Sequence, residues 1–91
     1  MMNLHALRIF NEVASLGSVT RAAEKLLLSQ PAVTAQLRNL ENEMGMKMIT
    51  SNGRGVQLTE AGERLAARSN QLFSLEAEIE AEMQALQRGM R

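Results

Sequence analysis

The sequence predicts a mainly α-helical fold that carries one small two-stranded hairpin and ends in a long helix. Three observations lead there. Apolar residues make up 45% of the 91 residues while aromatics make up only 2%, so the core must be built from Leu, Ile, Val, Met and Ala, a composition that favours helices over a sheet sandwich. Apolar residues recur at three- and four-residue steps through most of the first 44 positions. One glycine-rich stretch, "SNGRG" from Ser51 to Gly55, breaks that pattern between two short runs able to form strands.

The elements follow in order. Leu4, Leu7, Phe10, Val13 and Ala14 outline an amphipathic helix that ends near Gly17. Ser18 or Thr20 can cap the next helix, whose apolar stripe is Val19, Ala22, Ala23 and Leu26. In "LLSQP", Ser29 is an N-cap and Pro31, the one proline of the chain, stands in the first helical turn, where a missing N–H costs nothing. The third helix is expected from about Gln30 to Met44, with Gly45 just past its end. Val33, Leu37, Leu40 and Met44 form its core arc. Met46–Thr50 and Val56–Leu58 then read as two short strands around the Ser51–Gly55 turn. Such a hairpin needs the helices to pack on. Thr59 caps a long last helix in which Leu65, Leu72, Ile79 and Leu86 continue a seven-residue column begun at Leu58, joined by Leu75 and Met83.

Composition excludes several functions. There is no cysteine and no aspartate, and the single histidine, His5, stands apart from any cluster of ligands. Disulfides and thiolate metal sites are therefore excluded. No Ser/His/acid or paired-carboxylate pattern and no glycine-rich phosphate loop after a strand is present, so neither an enzyme nor a cofactor site is expected. The first apolar residues are interrupted by His5, Arg8, Asn11 and Glu12, unlike a signal peptide, and no apolar run approaches the ~20 residues that span a bilayer. Net charge is zero but uneven. Residues 1–68 hold eight Lys/Arg against six Glu, and residues 69–91 two Arg against four Glu. A mildly basic first part is compatible with a polyanionic partner. The run Glu76, Glu78, Glu80, Glu82 reads as a solvated surface, and the seven methionines as flexible core and interface filler.

Two short helices, a third helix and a small hairpin describe a winged helix-turn-helix. At about 100° per residue, the face of the third helix opposite its core arc holds Pro31, Thr34, Ala35, Arg38 and Asn42. Small residues near its N-terminal end allow close approach to base edges in a major groove. Gln30, at the rim, offers an amide to adenine or a phosphate, and Arg38 reaches phosphate or guanine.

The segments "SVTRAAEKLLLSQPAVTAQLRNLENEMG" and "GVQLTEAGERL" resemble the N-terminal domain of LysR-type transcriptional regulators. The resemblance covers nearly the whole chain and rests on Ala22-Ala23, Leu26, Ser29-Gln30-Pro31-Ala32, Gln36-Leu37, Leu40-Glu41, Gly45, Leu58-Thr59 and Ala61-Gly62. It implies a bacterial, cytoplasmic, nucleoid-associated DNA-binding domain over residues 1–58. It also implies a linker helix over 59–91 that forms an antiparallel homodimer, and a C-terminal effector-binding domain absent from these 91 residues. Carried over, the family reads bases with Gln30, Pro31, Thr34 and Arg38, holds phosphate with Thr20 and Ser29, and brings Arg54 of the wing to a minor groove. Leu65, Leu72, Leu75, Ile79, Met83 and Leu86 form the dimer face. The implied target is double-stranded DNA, a partly palindromic A·T-rich site. Higher oligomers and a small-molecule effector belong to a full-length chain, with no membrane and no cofactor.

Two positions depart from the family. Ala35 stands where an arginine commonly follows the residue at position 34, leaving at most a methyl contact. Ser51 stands where an arginine commonly precedes the wing. Both departures imply thinner direct readout and a larger part for DNA shape. The competing reading is a helical protein–protein module in which the last helix is the active surface and the first three support it.

Overall fold

The computed structural model describes residues 2–51, 53 and 55–89. The order is α1 (Leu4–Leu16), α2 (Val19–Leu26), α3 (Gln30–Met44), β1 (Ile49–Ser51), β2 (Val56–Leu58) and α4 (Glu60–Gln87). This is the winged helix-turn-helix with a long terminal helix that the sequence predicts.

Local chemistry starts and stops each helix. Asn3 caps α1 by accepting the N–H groups of His5 and Ala6. The Oγ of Ser18 accepts the Arg21 N–H, that of Ser29 the Ala32 N–H, and Thr59 Oγ1 the Gly62 N–H. Each satisfies a donor that the helix itself cannot pair. Ser18, not Thr20, therefore caps α2. Gly17 and Gly45 end α1 and α3 in the left-handed region at φ 66° and 69°. The α2–α3 turn does the same with Leu27 at φ 58°, where the leucine side chain is 91% exposed.

The core is apolar. Leu7, Ile9, Phe10 and Val13 of α1, Ala22 and Ala23 of α2, and Val33, Leu37 and Leu40 of α3 meet with Met48 from the loop before β1. Leu4, on the predicted stripe of α1, lies largely in solvent, and Ile9 takes a core place instead. Met44 closes the arc of α3 only partly buried.

The hairpin is shorter than predicted. β1 and β2 run antiparallel with Ile49 opposite Leu58, Thr50 opposite Gln57 and Ser51 opposite Val56. The expected strand from Met46 begins only at Ile49, and Ser51 belongs to the ladder, not to the turn. The reason lies in Met48. Its N–H goes to a Glu41 carboxylate oxygen at 2.8 Å instead of to Thr59, so only its carbonyl, which accepts the Thr59 N–H at 3.0 Å, continues the register of the ladder. The other end is tied to the helices where Val56 N–H donates to the Gly17 carbonyl.

Helix α4 leaves the core gradually. Ala61, Leu65, Ala66 and Phe73 pack against the apolar cluster. The buried Ser69 hydroxyl donates to Asn11 Oδ1 of α1 at 2.7 Å, so this buried polar group is satisfied. Arg8 of α1 stacks over the Phe73 ring at 4.2 Å and pairs with Glu76. Beyond Glu76, Ile79, Met83 and Leu86 are about half exposed. No helix among the described residues is long and apolar enough to cross a membrane.

Candidate nucleic-acid interface

The outward face of α3 is the site. Its core arc is anchored by Val33 and Leu40 at 0% exposure. That anchoring turns Pro31, Ala35, Arg38, Asn39 and Asn42 to solvent, with Thr34 half-buried at the edge. Gln30, Pro31, Thr34, Ala35 and Arg38 share one shallow surface. Ala35 exposes only a methyl group there, which lowers the middle of the surface and leaves Arg38 as its longest side chain.

A groove of about 530 Å³ runs beside this face towards the hairpin. Thr34, Arg38 and Glu41 form its α3 wall, Ser51 and Gly55 its hairpin wall, and Ser18 and Thr20 of α2 its end. The turn between α1 and α2 sets its width, because the hairpin is hydrogen-bonded to Gly17. Gly55, at φ 115°, holds a backbone conformation that side-chain-bearing residues rarely adopt, and a Cβ there would also press on the Gly17 carbonyl oxygen at 3.1 Å.

Charge is selective. Arg8, Lys25, Lys47 and Arg64 each contact a glutamate. Arg38, like Arg21, Arg68 and Arg88, contacts none among the described residues, but it alone of these stands exposed on the outward α3 face, with its guanidinium open to a ligand. Glu41 borders the same groove, but its Oε2 accepts the Met48 and Ile49 N–H groups at 2.8 and 3.2 Å. This acid is thereby drawn under the hairpin. No group of three or more potential metal ligands occurs among the described residues.

The residues singled out in the sequence fall in distinct places. Gln30, Pro31, Thr34, Ala35 and Arg38 are brought together on α3. Thr20 joins them from α2 because its Oγ1 accepts the Gln30 amide N–H at 2.8 Å. Ser29 is exposed at the α3 N-terminus, its Oγ occupied as acceptor by the cap. Arg54 lies outside the described residues, and Ser51 is exposed on β1. On α4, Leu65 packs on the core of its own chain, whereas Leu72, Leu75, Ile79, Met83 and Leu86 form an exposed row at 40–55%.

Three features escaped the sequence reading: the Glu41 clamp, the Thr20–Gln30 hydrogen bond and the crowding of Gly62. The only sequence signal for Glu41 is an acid directly beside core residue Leu40 on an otherwise weakly charged helix. The other two depend on contacts between elements and leave no local trace.

Comparison with known proteins agrees with this geometry. The family model for bacterial regulatory helix-turn-helix proteins of the lysR family matches residues 4–63. The chain is 42% identical over 85 residues to a RuBisCO operon transcriptional regulator of Allochromatium vinosum, covering 93% of this chain and 28% of the relative. It is 48% identical over 68 residues to the HTH-type transcriptional regulator AbaB of Streptomyces antibioticus, covering 75% and 23%. The chain thus spans about a quarter of the length of these relatives. Among solved structures, it superposes on the BenM DNA-binding domain in complex with catB site 1 DNA with a TM-score of 0.87 at 30% identity, covering 93% of this chain and 96% of that one. It superposes on the CbnR DNA-binding domain–DNA complex with a TM-score of 0.82 at 29% identity, covering 93% and 98%. An outward helix face bearing a free arginine, a hairpin beside it and these matches together establish that the chain belongs to the lysR family of bacterial regulatory helix-turn-helix proteins.

Proposed function

We propose that this chain is a sequence-specific DNA-binding domain that reads double-stranded DNA as a homodimer. The observation that carries the reading is the outward face of α3, where Arg38 has no glutamate partner among the described residues and stands among small side chains. Such a helix fits a major groove, with Gln30, Pro31, Thr34 and Ala35 at base edges and Arg38 at a guanine or phosphate. The α2 N-terminus, with Thr20, and the Ser29 cap lie where backbone phosphates would run. Arg54, by its place in the wing sequence, is assigned to the minor groove. The likeness to DNA-bound BenM and CbnR domains supports the same orientation.

The exposed row on α4 supports the dimer. Leu72, Leu75, Ile79, Met83 and Leu86 need a cover, and a second α4 has a matching row. Charge favours the antiparallel arrangement: about a midpoint near Leu75, Arg68 of one helix comes alongside the Glu80 and Glu82 stretch of the other, whereas parallel pairing sets the acidic run against itself. Two α3 helices then meet successive major grooves of a partly palindromic, A·T-rich site. In this division residues 1–58 read DNA, 59–91 link and dimerise, and effector sensing belongs to a region outside this chain. The setting is the bacterial cytoplasm.

Selection of bound duplexes from a random-sequence pool tests the reading. Enrichment of two related half-sites about one helical turn apart, with binding that weakens steeply as salt rises, is the expected result. Salt-insensitive association of the chain with itself and an unenriched pool would leave only the helical interaction module.

A further inference from the structure

We infer that Thr20 is a specificity-determining residue: by holding the Gln30 amide it makes Gln30 select adenine. This rests on the DNA-reading function proposed above. Thr20 stands in the first turn of α2 and Gln30 in the first turn of α3, ten residues apart in sequence. The Gln30 Nε2–H donates to Thr20 Oγ1 at 2.8 Å, and both side chains are exposed. Gln30 also lines the shallow surface shared with Pro31, Thr34 and Arg38.

The chemistry follows from counting donors. A glutamine amide carries two N–H donors and one carbonyl acceptor. One N–H is used on Thr20. One N–H and the carbonyl Oε1 remain, side by side, for a base. Adenine presents the complementary pair in the major groove, an N7 acceptor next to an N6 amino donor. Guanine presents two acceptors there, N7 and O6. An amide free to turn by half a circle could offer guanine a different edge. An amide held by its nitrogen presents its carbonyl oxygen outward, and that oxygen would face guanine O6 in repulsion. Thr20 thus acts through Gln30, without itself touching a base.

This role differs measurably from a phosphate contact. A hydroxyl on a phosphate carries no sequence information, so its loss weakens all duplexes alike. A hydroxyl that orients an amide alters preference at one base pair only.

The test is selection from a random-sequence duplex pool with the parent chain and with Thr20→Val, Thr20→Ser and Gln30→Ala. Circular dichroism checks that each variant is folded. The parent should prefer adenine at one position of each half-site by about five- to a hundredfold, the span of a bidentate contact. Gln30→Ala should erase that preference. Thr20→Val should reduce it by about two- to tenfold, the cost of ordering one side chain anew, with every other position unchanged. Thr20→Ser, which keeps the hydroxyl, should restore it. Guanine at the Gln30-dependent position, or an adenine preference that survives Thr20→Val, whether affinity is kept or falls alike across all duplexes, would overturn the inference while leaving DNA reading intact. An unenriched pool with the parent chain would defeat the DNA-reading function and this inference together.

Discussion

Gly62, in the first turn of α4, is pressed against the backbone of Met48. A methyl group at Gly62 would overlap the Met48 carbonyl oxygen and lie 3.0 Å from its carbon and 3.3 Å from Leu58 Cβ. Three elements converge there, and two hydrogen bonds hold them: Thr59 Oγ1 donates to the Lys47 carbonyl at 2.6 Å, and Thr59 N–H to the Met48 carbonyl. The obstacle is backbone held at both ends, so it cannot swing aside. Gly62→Ala should therefore destabilise the fold by about 2–3 kcal/mol despite alanine's better helix propensity. Urea unfolding would show a lower midpoint. A midpoint at or above that of the parent would mean that α4 can shift off the hairpin freely.

Glu41 joins α3 to the hairpin through one oxygen. Replacing it with alanine leaves the Met48 and Ile49 N–H groups without their acceptor, at a cost of about 1–3 kcal/mol. Glu41→Gln keeps a carbonyl oxygen in the same place and should recover most of that loss. Amide hydrogen exchange resolves the effect locally: Met48 and Ile49 should exchange faster in the alanine variant, while Val33 and Leu40 keep their protection. Unchanged exchange at both positions would remove Glu41 from this role. The Lys47 ammonium, 3.8 Å from Glu41 and 80% exposed, adds little to the clamp.

Arg38→Ala should leave folding and dimerisation intact, because the side chain is exposed and makes no contact with a glutamate among the described residues. DNA affinity should fall by about 1–3 kcal/mol. Fluorescence anisotropy with a selected duplex measures the affinity, and thermal unfolding checks the fold. Full-strength binding by the variant would take Arg38 out of the interface.

Ile79 lies in the exposed part of α4, close to Glu76, Glu80 and Glu82. Ile79→Glu would bury a charge in any paired α4 row and add to the acidic run. Sedimentation should give a dimer for the parent chain and a monomer for the variant at the same concentration. The helical content should not change, since the parent side chain is already half in solvent. Equal sedimentation of the two would place the self-association surface elsewhere.

Leu27 combines φ 58° with 91% exposure. A leucine in that region suffers a Cβ clash of roughly 1–2 kcal/mol that glycine avoids, partly offset by the greater freedom of glycine in the unfolded chain. Leu27→Gly should raise stability by about 0.5–1 kcal/mol, read as a higher urea midpoint. A drop would show that the leucine makes a contact stronger than its strain.

How much of this was legible in the sequence follows from the range of the forces involved. Helix starts at Ser29 and Thr59 and stops at Gly17 and Gly45 depend on groups within about four residues, so spacing alone determined them, whereas at α2 it left Ser18 and Thr20 open and the structure chose Ser18. The outward arc of α3 was equally readable, because a helix with Val33, Leu37 and Leu40 buried has to turn Ala35 and Arg38 away. Tertiary structure decided the rest. β1 begins at Ile49 because Glu41 of α3 claims the N–H of Met48, which would otherwise pair with Thr59. Leu65 and Leu72 share one seven-residue column, yet the first packs on its own core and the second stands in solvent. Periodicity states only that a column is apolar; which surface covers it depends on where α4 passes the end of α1. Thr20 and Gln30 carry no local sign of their partnership, since a hydrogen bond between two helix starts exists only once the turn at Leu27 has set the helices side by side.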